Sequence, residues 1–307
     1  MKDIVVIGSS NTDMIVKTPH LPRPGETVLG GTFSTAAGGK GANQAVACAK
    51  AGGKVTFVAR VGQDMFGDQA LQGFRQNGIN VDHVISDTAA PSGVALIVVD
   101  DQGENCIAVA SGANLNLTVE DLQAAQSAID SAGIVLMQLE IPLEVVTAAT
   151  RVAAAQQIKV ILNPAPARAL SDELLQHISI LTPNETEARM LTDIEVKDES
   201  TALQAAQALT EKGVQSVIIT LGSAGAYVYS ENFKGMVSGF KVDPVDTTAA
   251  GDTFNGTLAV ALAEGNTLQQ AVSFANAAAA LSVTRLGAQP SAPDRVAIER
   301  FLEENQR

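Results

Sequence analysis

Ile134-Val135-Leu136-Met137-Gln138-Leu139 is an almost unbroken apolar run, and its reading decides the fold class. A strand with one wet face alternates apolar and polar residues, whereas a strand covered on both faces does not. The run therefore predicts a central strand of a parallel sheet with helices on either side. Working outward, the same signal recurs at Ile4–Ile7, Val55–Val61, Val160–Leu162, Ile178–Thr182 and Val217–Thr220. Helical patterns lie between these runs. Gly41–Ala51 stops at Gly52-Gly53. The pattern from Leu117 to Ser131 opens on Thr118 as an N-cap, with Asp121 three residues on. Leu143–Gln156, Ser200–Lys212, Thr253–Ala263 and Leu268–Val283 complete the series. Strands alternating with helices predict a doubly wound, mostly parallel α/β sheet.

Two segments, 12–37 and 91–110, break the alternation. The first carries Pro19, Pro22 and Pro24-Gly25 followed by short strand-like pieces. The second alternates through Val94, Leu96 and Val98, turns at Asp100–Gly103 and alternates again through Ile107 and Val109, as a β-hairpin does. Together they predict a small β element beside the main sheet. The residues alone leave two readings, edge strands or a lid that excludes water from a reacting site. There is no internal repeat or low-complexity linker, so 1–307 is expected to be a single domain carrying this insertion.

The chain has 307 residues and a formal net charge of −13. Without a Lys/Arg block, such a chain is a poor partner for nucleic acid or an anionic membrane. His20, His83 and His177 form no metal spacing with the two cysteines, Cys48 and Cys106, which read as free thiols. The start, Met1-Lys-Asp-Ile-Val-Val-Ile-Gly8, reads as a first strand rather than a signal peptide. No run approaches the roughly 20 apolar residues of a membrane helix. These points predict a cytoplasmic protein.

Asp246-Thr247-Thr248-Ala249-Ala250-Gly251-Asp252-Thr253 is the motif with the most chemistry. Small residues let a ligand approach the backbone, and a helix from about Gly251 presents free N–H groups and a positive dipole end. Such an end can hold the oxygens of a transferring phosphoryl group, while Asp252 takes the proton of an acceptor hydroxyl. Alone, Asp252 is equally an acid that complements the helix dipole.

Gly38-Gly39-Lys40-Gly41-Ala42-Asn43 is not a Walker A loop, because Ser34 stands where the first glycine is needed and Gly41 where Ser or Thr is needed. It suits either a polyhydroxylated ligand or an ordinary glycine turn before a helix. Asn11-Thr12-Asp13 and Glu140 each follow a strand, where open α/β sheets bind ligands. Their plainer readings are an Asx-turn and a strand-end surface acid. Asn184-Glu185-Thr186-Glu187 fits a hydrated Mg²⁺ or, equally, a helix cap with first-turn acids. Thr220-Leu221-Gly222-Ser223-Ala224-Gly225 is a small-residue turn able to admit a nucleotide.

Taken in order, these motifs resemble the ribokinase family of carbohydrate kinases over nearly the whole length. Asn163-Pro-Ala-Pro-Ala167 and Thr284-Arg-Leu-Gly-Ala-Gln-Pro-Ser291 belong to the resemblance. It implies a lid sheet that also forms a homodimer contact. It implies transfer of phosphate from ATP to the 5-hydroxyl of D-ribose, with Asp252 as base and an anion hole at Ala249, Ala250, Gly251 and Asp252. Sugar contacts would come from Asn11, Thr12, Asp13, Gly39, Lys40, Gly41, Ala42, Asn43 and Glu140. Nucleotide contacts would come from Asn184, Thr220 to Gly225 (Leu221, Gly222, Ser223 and Ala224 between them), Gly251 and Asn276. Glu187 would belong to the Mg²⁺- and phosphate-linked motif. Asp246, Thr248, Ser282, Arg285, Gly287 and Ser291 resemble the family's K⁺ site. Asn276 and Thr248 depart from the residues often found there, a His and an aliphatic side chain.

Other activities fit the same text. A kinase for deoxyribose, a fructose-type sugar or a nucleoside is one; aromatic residues, at 4%, are few for stacking a base. A sugar-binding sensor that has lost catalysis is another, against which the retained Gly251-Asp252 pair stands.

Overall fold

The computed structural model describes residues 1–305. Thirteen strands run in chain order: β1 (Asp3–Ile7), β2 (Asn11–Lys17), β3 (Thr32–Gly38), β4 (Val55–Gly62), β5 (Asn80–Asp87), β6 (Gly93–Val99), β7 (Asn105–Ala110), β8 (Ala132–Met137), β9 (Lys159–Leu162), β10 (Ile180–Leu181), β11 (Ser216–Thr220), β12 (Gly225–Tyr229) and β13 (Lys234–Ser238). Nine form the main sheet, in the order β13-β12-β11-β10-β9-β8-β1-β4-β5. From β11 to β5 every pairing is parallel; β12 and β13 add an antiparallel edge.

The unalternating runs have a direct cause. In β1, Ile4 and Val6 enter the core on one face of the sheet, while Val5 and Ile7 enter the core on the other. In β8, Ile134 and Leu136 take the first face, and Val135 and Met137 the second. The first core is closed by the helices Lys40–Lys50, Ala250–Ala263 and Leu268–Ser282, the second by helices including Leu143–Ala155 and Glu199–Glu211. Period-2 geometry thus sends Gln138, next in line after Leu136, toward the first face.

The other four strands form a separate sheet, β3-β2-β6-β7, built from the two segments that break the alternation. β2 pairs parallel with β6, and each hairpin supplies one outer strand. Every residue of β7 is exposed. The places where the chain enters and leaves this sheet are tied together. Asn114 accepts from the Ser10 N–H at 2.8 Å and donates to Ser10 O and to Asn11 Oδ1. A Cβ on Gly93 would lie 2.1 Å from that same Asn11 oxygen.

Some boundaries differ from the sequence reading. The Thr118 capping box with Asp121 is present, but the expected helix to Ser131 divides at Ala125 into Val119–Ala124 and Gln126–Ser131. The helix expected from Thr253 begins at Ala250. A helix at Met65–Gln76, capped by Asp64 and burying Gly67 and Phe74, is absent from the sequence reading although Phe66, Ala70 and Phe74 stand at helical spacing. Cys48 is buried and Cys106 exposed, both free. Among the described residues, no helix is long and apolar enough to cross a membrane.

Candidate active site

In the main sheet the chain leaves β1 toward β4 on one side and later returns to β8 on the other. Ligands of such sheets bind at the carboxyl ends of the strands where this reversal occurs. Here the β1 end carries Ser9 to Asp13 and the β8 end carries Gln138 and Glu140.

The helix Lys40–Lys50 starts over this crevice. Its N-cap is Gly39, at φ +88°, with no side-chain cap. The missing acceptor comes from a residue 100 positions away: Glu140 Oε2 accepts from the Lys40 N–H at 3.0 Å and from the Ser9 hydroxyl. Gly41 packs so closely on β1 that a Cβ there would lie 2.4 Å from Ser9 N.

Asp252 is buried in the first turn of Ala250–Ala263. Asn43 Nδ2 donates to its Oδ2 at 2.9 Å and Gln44 Nε2 to its Oδ1 at 3.0 Å. Burial pushes its pKa up, opposed by the Lys40 ammonium and these two amides. Asp13 lies nearby. Burial, then the charges of Glu140 and Asp252, raise its pKa to about 6. For Lys40, burial disfavours the ammonium, but Asp252, Glu140 and Glu187 outweigh it and raise the pKa. One cation is therefore held charged among three acids. Glu187 is raised mainly by burial. Its carboxylate accepts from the Asn184 N–H at 2.9 Å while Asn184 accepts from the Glu187 N–H, a full capping box.

The predicted sugar residues do not all converge. Strand alternation turns Thr12 away from Asp13, into a separate cavity of about 230 Å³ lined by Phe66, Phe74 and Gln289 among others. Asn11 also borders that cavity, and its side-chain oxygen is taken by Asn114. Gly39 to Asn43, Asp13, Glu140 and Asp252 belong to the crevice itself.

A larger cavity, about 770 Å³, opens beside it. Thr220, Gly222, Ser223, Gly225, Gly251 and Asn276 line it. Leu221 instead packs against the core beneath, and Ala224 is exposed. Asn184 bridges to Thr220 at the cavity's edge. The Asn276 amide nitrogen is spent on Val237 O and Ser238 O, so it braces β13. Sequence reading missed the opposite wall, Phe240 to Pro244, a stretch without regular structure or motif. It also missed Ser9, Gln44, Gln138 and Asn163.

The cavity meets the crevice at Ala250 and Gly251. Ala249, the N-cap, has φ +57°, and the Ala250 N–H turns back to Thr247 O at 3.3 Å. Gly251 faces open space: a Cβ on it would find nothing within 4 Å. Behind this turn, Asp246 joins two loops. Its Oδ1 accepts from the Thr248 N–H and its Oδ2 from the Gly287 N–H, at 2.9 and 2.8 Å. These bonds outweigh burial and hold its pKa below the usual carboxylate value. Ser282 and Ser291 lie buried, their hydroxyls donating to Ala279 O and Ala288 O; Arg285 is exposed.

Residues 1–295 match the model of the pfkB family carbohydrate kinases. The chain belongs to this family. Ribokinase of Haemophilus influenzae is 45% identical over 302 residues, 98% of this chain and 99% of its own. Among other pfkB-type relatives, deoxyribokinase of Salmonella typhi is 38% identical over 302 residues, covering 98% of each chain. The structure of Arabidopsis thaliana ribokinase complexed with ribose and ATP superposes with a TM-score of 0.91, at 35% identity, over 98% of this chain and 99% of that one. The doubly wound main sheet and separate small sheet are those of the ribokinase-like fold.

Proposed function

We propose that this carbohydrate kinase transfers the γ-phosphoryl of ATP to the 5-hydroxyl of D-ribose, giving ADP and ribose 5-phosphate. The observation that carries the reading is the meeting of two compartments at one helix start. A buried acid cluster suited to sugar hydroxyls lies on one side of residues 250–252, and a cavity large enough for a nucleotide lies on the other. The relative named ribokinase at 45% identity supports the same choice of sugar.

Asp13 and Glu140 would accept hydrogen bonds from ribose hydroxyls, and the Asn43 amide would help place the sugar. Asp252 would orient the 5-hydroxyl and take its proton as the new O–P bond forms and the bond to the ADP oxygen breaks. Phosphoryl transfer passes through a loose transition state, so positioning and charge stabilisation matter more than base strength. The Gly251 and Asp252 N–H groups, in the first turn of Ala250–Ala263, have no partner within the helix and would stabilise the equatorial oxygens. The Lys40 ammonium would add a positive charge from the sugar side.

Among the described residues, no group of three or more His, Cys, Asp or Glu could hold a metal ion. That fits Mg²⁺, which keeps several waters and is carried largely by substrate phosphates, with Glu187 as its protein-side acid. The oxygen-only donors around Asp246, Thr248, Ser282, Gly287 and Ser291, with Arg285 in the same loop, fit a hard monovalent cation such as K⁺. There it would supply positive charge behind the phosphoryl-binding turn.

The small sheet supports a lid and a homodimer contact. The strand registers put Asp13, Ile15, Ile97, Ile107 and Val109 on one face. Asp13 lies on the inner strand β2, while Ile107 and Val109 are more than half exposed on the edge strand β7. A second copy's sheet would cover that outer apolar half.

The relative named deoxyribokinase makes 2-deoxyribose the second reading. A coupled assay with ATP and Mg²⁺ against ribose, 2-deoxyribose and fructose tests the choice. Ribose should give the highest kcat/KM. An equal or higher value for 2-deoxyribose would overturn ribose as the substrate, and ribose binding without turnover would indicate a sensor.

A further inference from the structure

We propose that Gln44 is a positioning residue for Asp252, and that Gln138 fixes which way the Gln44 amide points. The inference rests on the reading of Asp252 as the proton acceptor.

Gln44 is fully buried on the helix Lys40–Lys50. Its Nε2 donates to Asp252 Oδ1 at 3.0 Å and to Asn163 Oδ1 at 3.1 Å. Its Oε1 accepts from Gln138 Nε2 at 2.6 Å. Both N–H groups and the carbonyl are thus engaged. Turning the amide over would set its oxygen against two acceptors and its nitrogen against a donor, so a single orientation survives. Gln138 is itself fully buried and held by close packing: a Cβ on Gly8 would lie 2.2 Å from its Oε1.

The chain of bonds closes on the reacting turn. Asn163 Nδ2 donates to Thr182 O, the Thr182 hydroxyl to Asn255 Oδ1, and Asn255 Nδ2 to Gly251 O. One network therefore grips both the carboxylate of Asp252 and the backbone preceding it. With Asn43 on Oδ2 and Gln44 on Oδ1, each oxygen has one amide donor and the carboxylate plane is fixed. A buried carboxylate stripped of a donor holds its proton more tightly. The charged groups facing Asp252 do not replace that donor: Lys40 favours ionisation, while Glu140, Asp13 and Glu187 oppose it.

The test compares wild type, Gln44→Met, Gln138→Met, Asp252→Asn and Gln44→Met/Asp252→Asn at saturating ATP and ribose. Gln44→Met should lower kcat on the order of 10- to 100-fold while the ribose KM stays within about twofold, roughly the scale of one lost charge-assisted hydrogen bond. The acid limb of its kcat–pH profile should move to higher pH. Gln138→Met, which does not touch Asp252, should shift both in the same direction but less. In the Asp252→Asn background, Gln44→Met should cost nothing further, because Gln44 acts through that carboxylate. Wild-type kcat and acid limb in Gln44→Met, with Asp252→Asn inactive, would overturn the positioning role alone. Near-normal turnover of Asp252→Asn would overturn the base and this inference with it. If Gln44→Met does not fold, wild-type kcat and acid limb in Gln138→Met overturn the proposal.

Discussion

The carboxylate of Asp13 lies directly over the backbone of Gly38. A Cβ on Gly38 would sit 2.4 Å from both of its oxygens. β2 and β3 pair Asn11 with Gly38 and Asp13 with Ala36, so the acid leans diagonally across the ladder onto a position that only hydrogen can occupy. Gly38→Ala should therefore push Asp13 out of the crevice. We expect the ribose KM to rise at least about tenfold, equivalent to ~1.4 kcal/mol, with a smaller change in kcat. An unchanged KM would remove Asp13 from sugar binding.

Asp13 also predicts a pH dependence. Its pKa of about 6 means that it is protonated, and a poorer acceptor, below that value. The kcat/KM for ribose should fall on the acid side with an apparent pKa near 6, shared with the adjoining acids. In Asp13→Asn that limb should flatten. A profile that keeps its shape in the variant would assign the limb elsewhere.

Asp246 ties the turn before the reacting helix to the loop at Gly287. If a monovalent cation sits behind that turn, turnover should be faster in K⁺ than in Na⁺, and Asp246→Asn should reduce the difference. Equal rates in both salts, at matched ionic strength, would remove the cation from the reaction.

Assembly is read from the outer half of the small sheet. Ile107→Glu together with Val109→Glu should convert a particle of twice the chain mass to one of the chain mass, measured by light scattering. A wild-type particle of the chain mass would refute the dimer.

Acid stability should centre on Asp87. The Asn116 amide, the N–H groups of Ala89 and Ala90, and Arg60 outweigh burial and lower its pKa to about 2. Arg60 also makes a two-pronged contact with Asp121. The folded-state pKa is depressed, so the contribution is present above about pH 4 and lost as pH falls toward 2. Asp87→Asn should lower the Tm by several degrees at pH 7 and flatten its fall between pH 4 and 2. A variant that melts with the wild-type slope would place the sensitive group elsewhere.

The layered fold was legible because its signals are local. Ile4–Ile7 and Ile134–Leu139 declare strands buried on both faces, and Thr118 with Asp121 declares a helix start. The break at Ala125 was not legible, since no Gly or Pro marks it; Ala125 and Ile129 are instead drawn into the core. The crevice acids could be named one by one, Asp13, Glu140 and Glu187 because each comes after a strand-like run and Asp252 because it stands at a small-residue helix start. The amide network behind Asp252 could not, because Gln44 reaches the carboxylate across 208 positions of chain, while Gln138 and Asn163 meet only Gln44, across 94 and 119. The available signal was a polar residue inside an apolar run, as at Gln138: a wholly buried amide has to be answered by another polar group.

Asn114 and Gly93 bind the inner ends of β2 and β6 into one junction. Four chain crossings are thereby gathered at a single seam between the small sheet and the main one. Residues on the outer strands can therefore be replaced without disturbing the strand ends of the main sheet that carry Glu140 and Glu187.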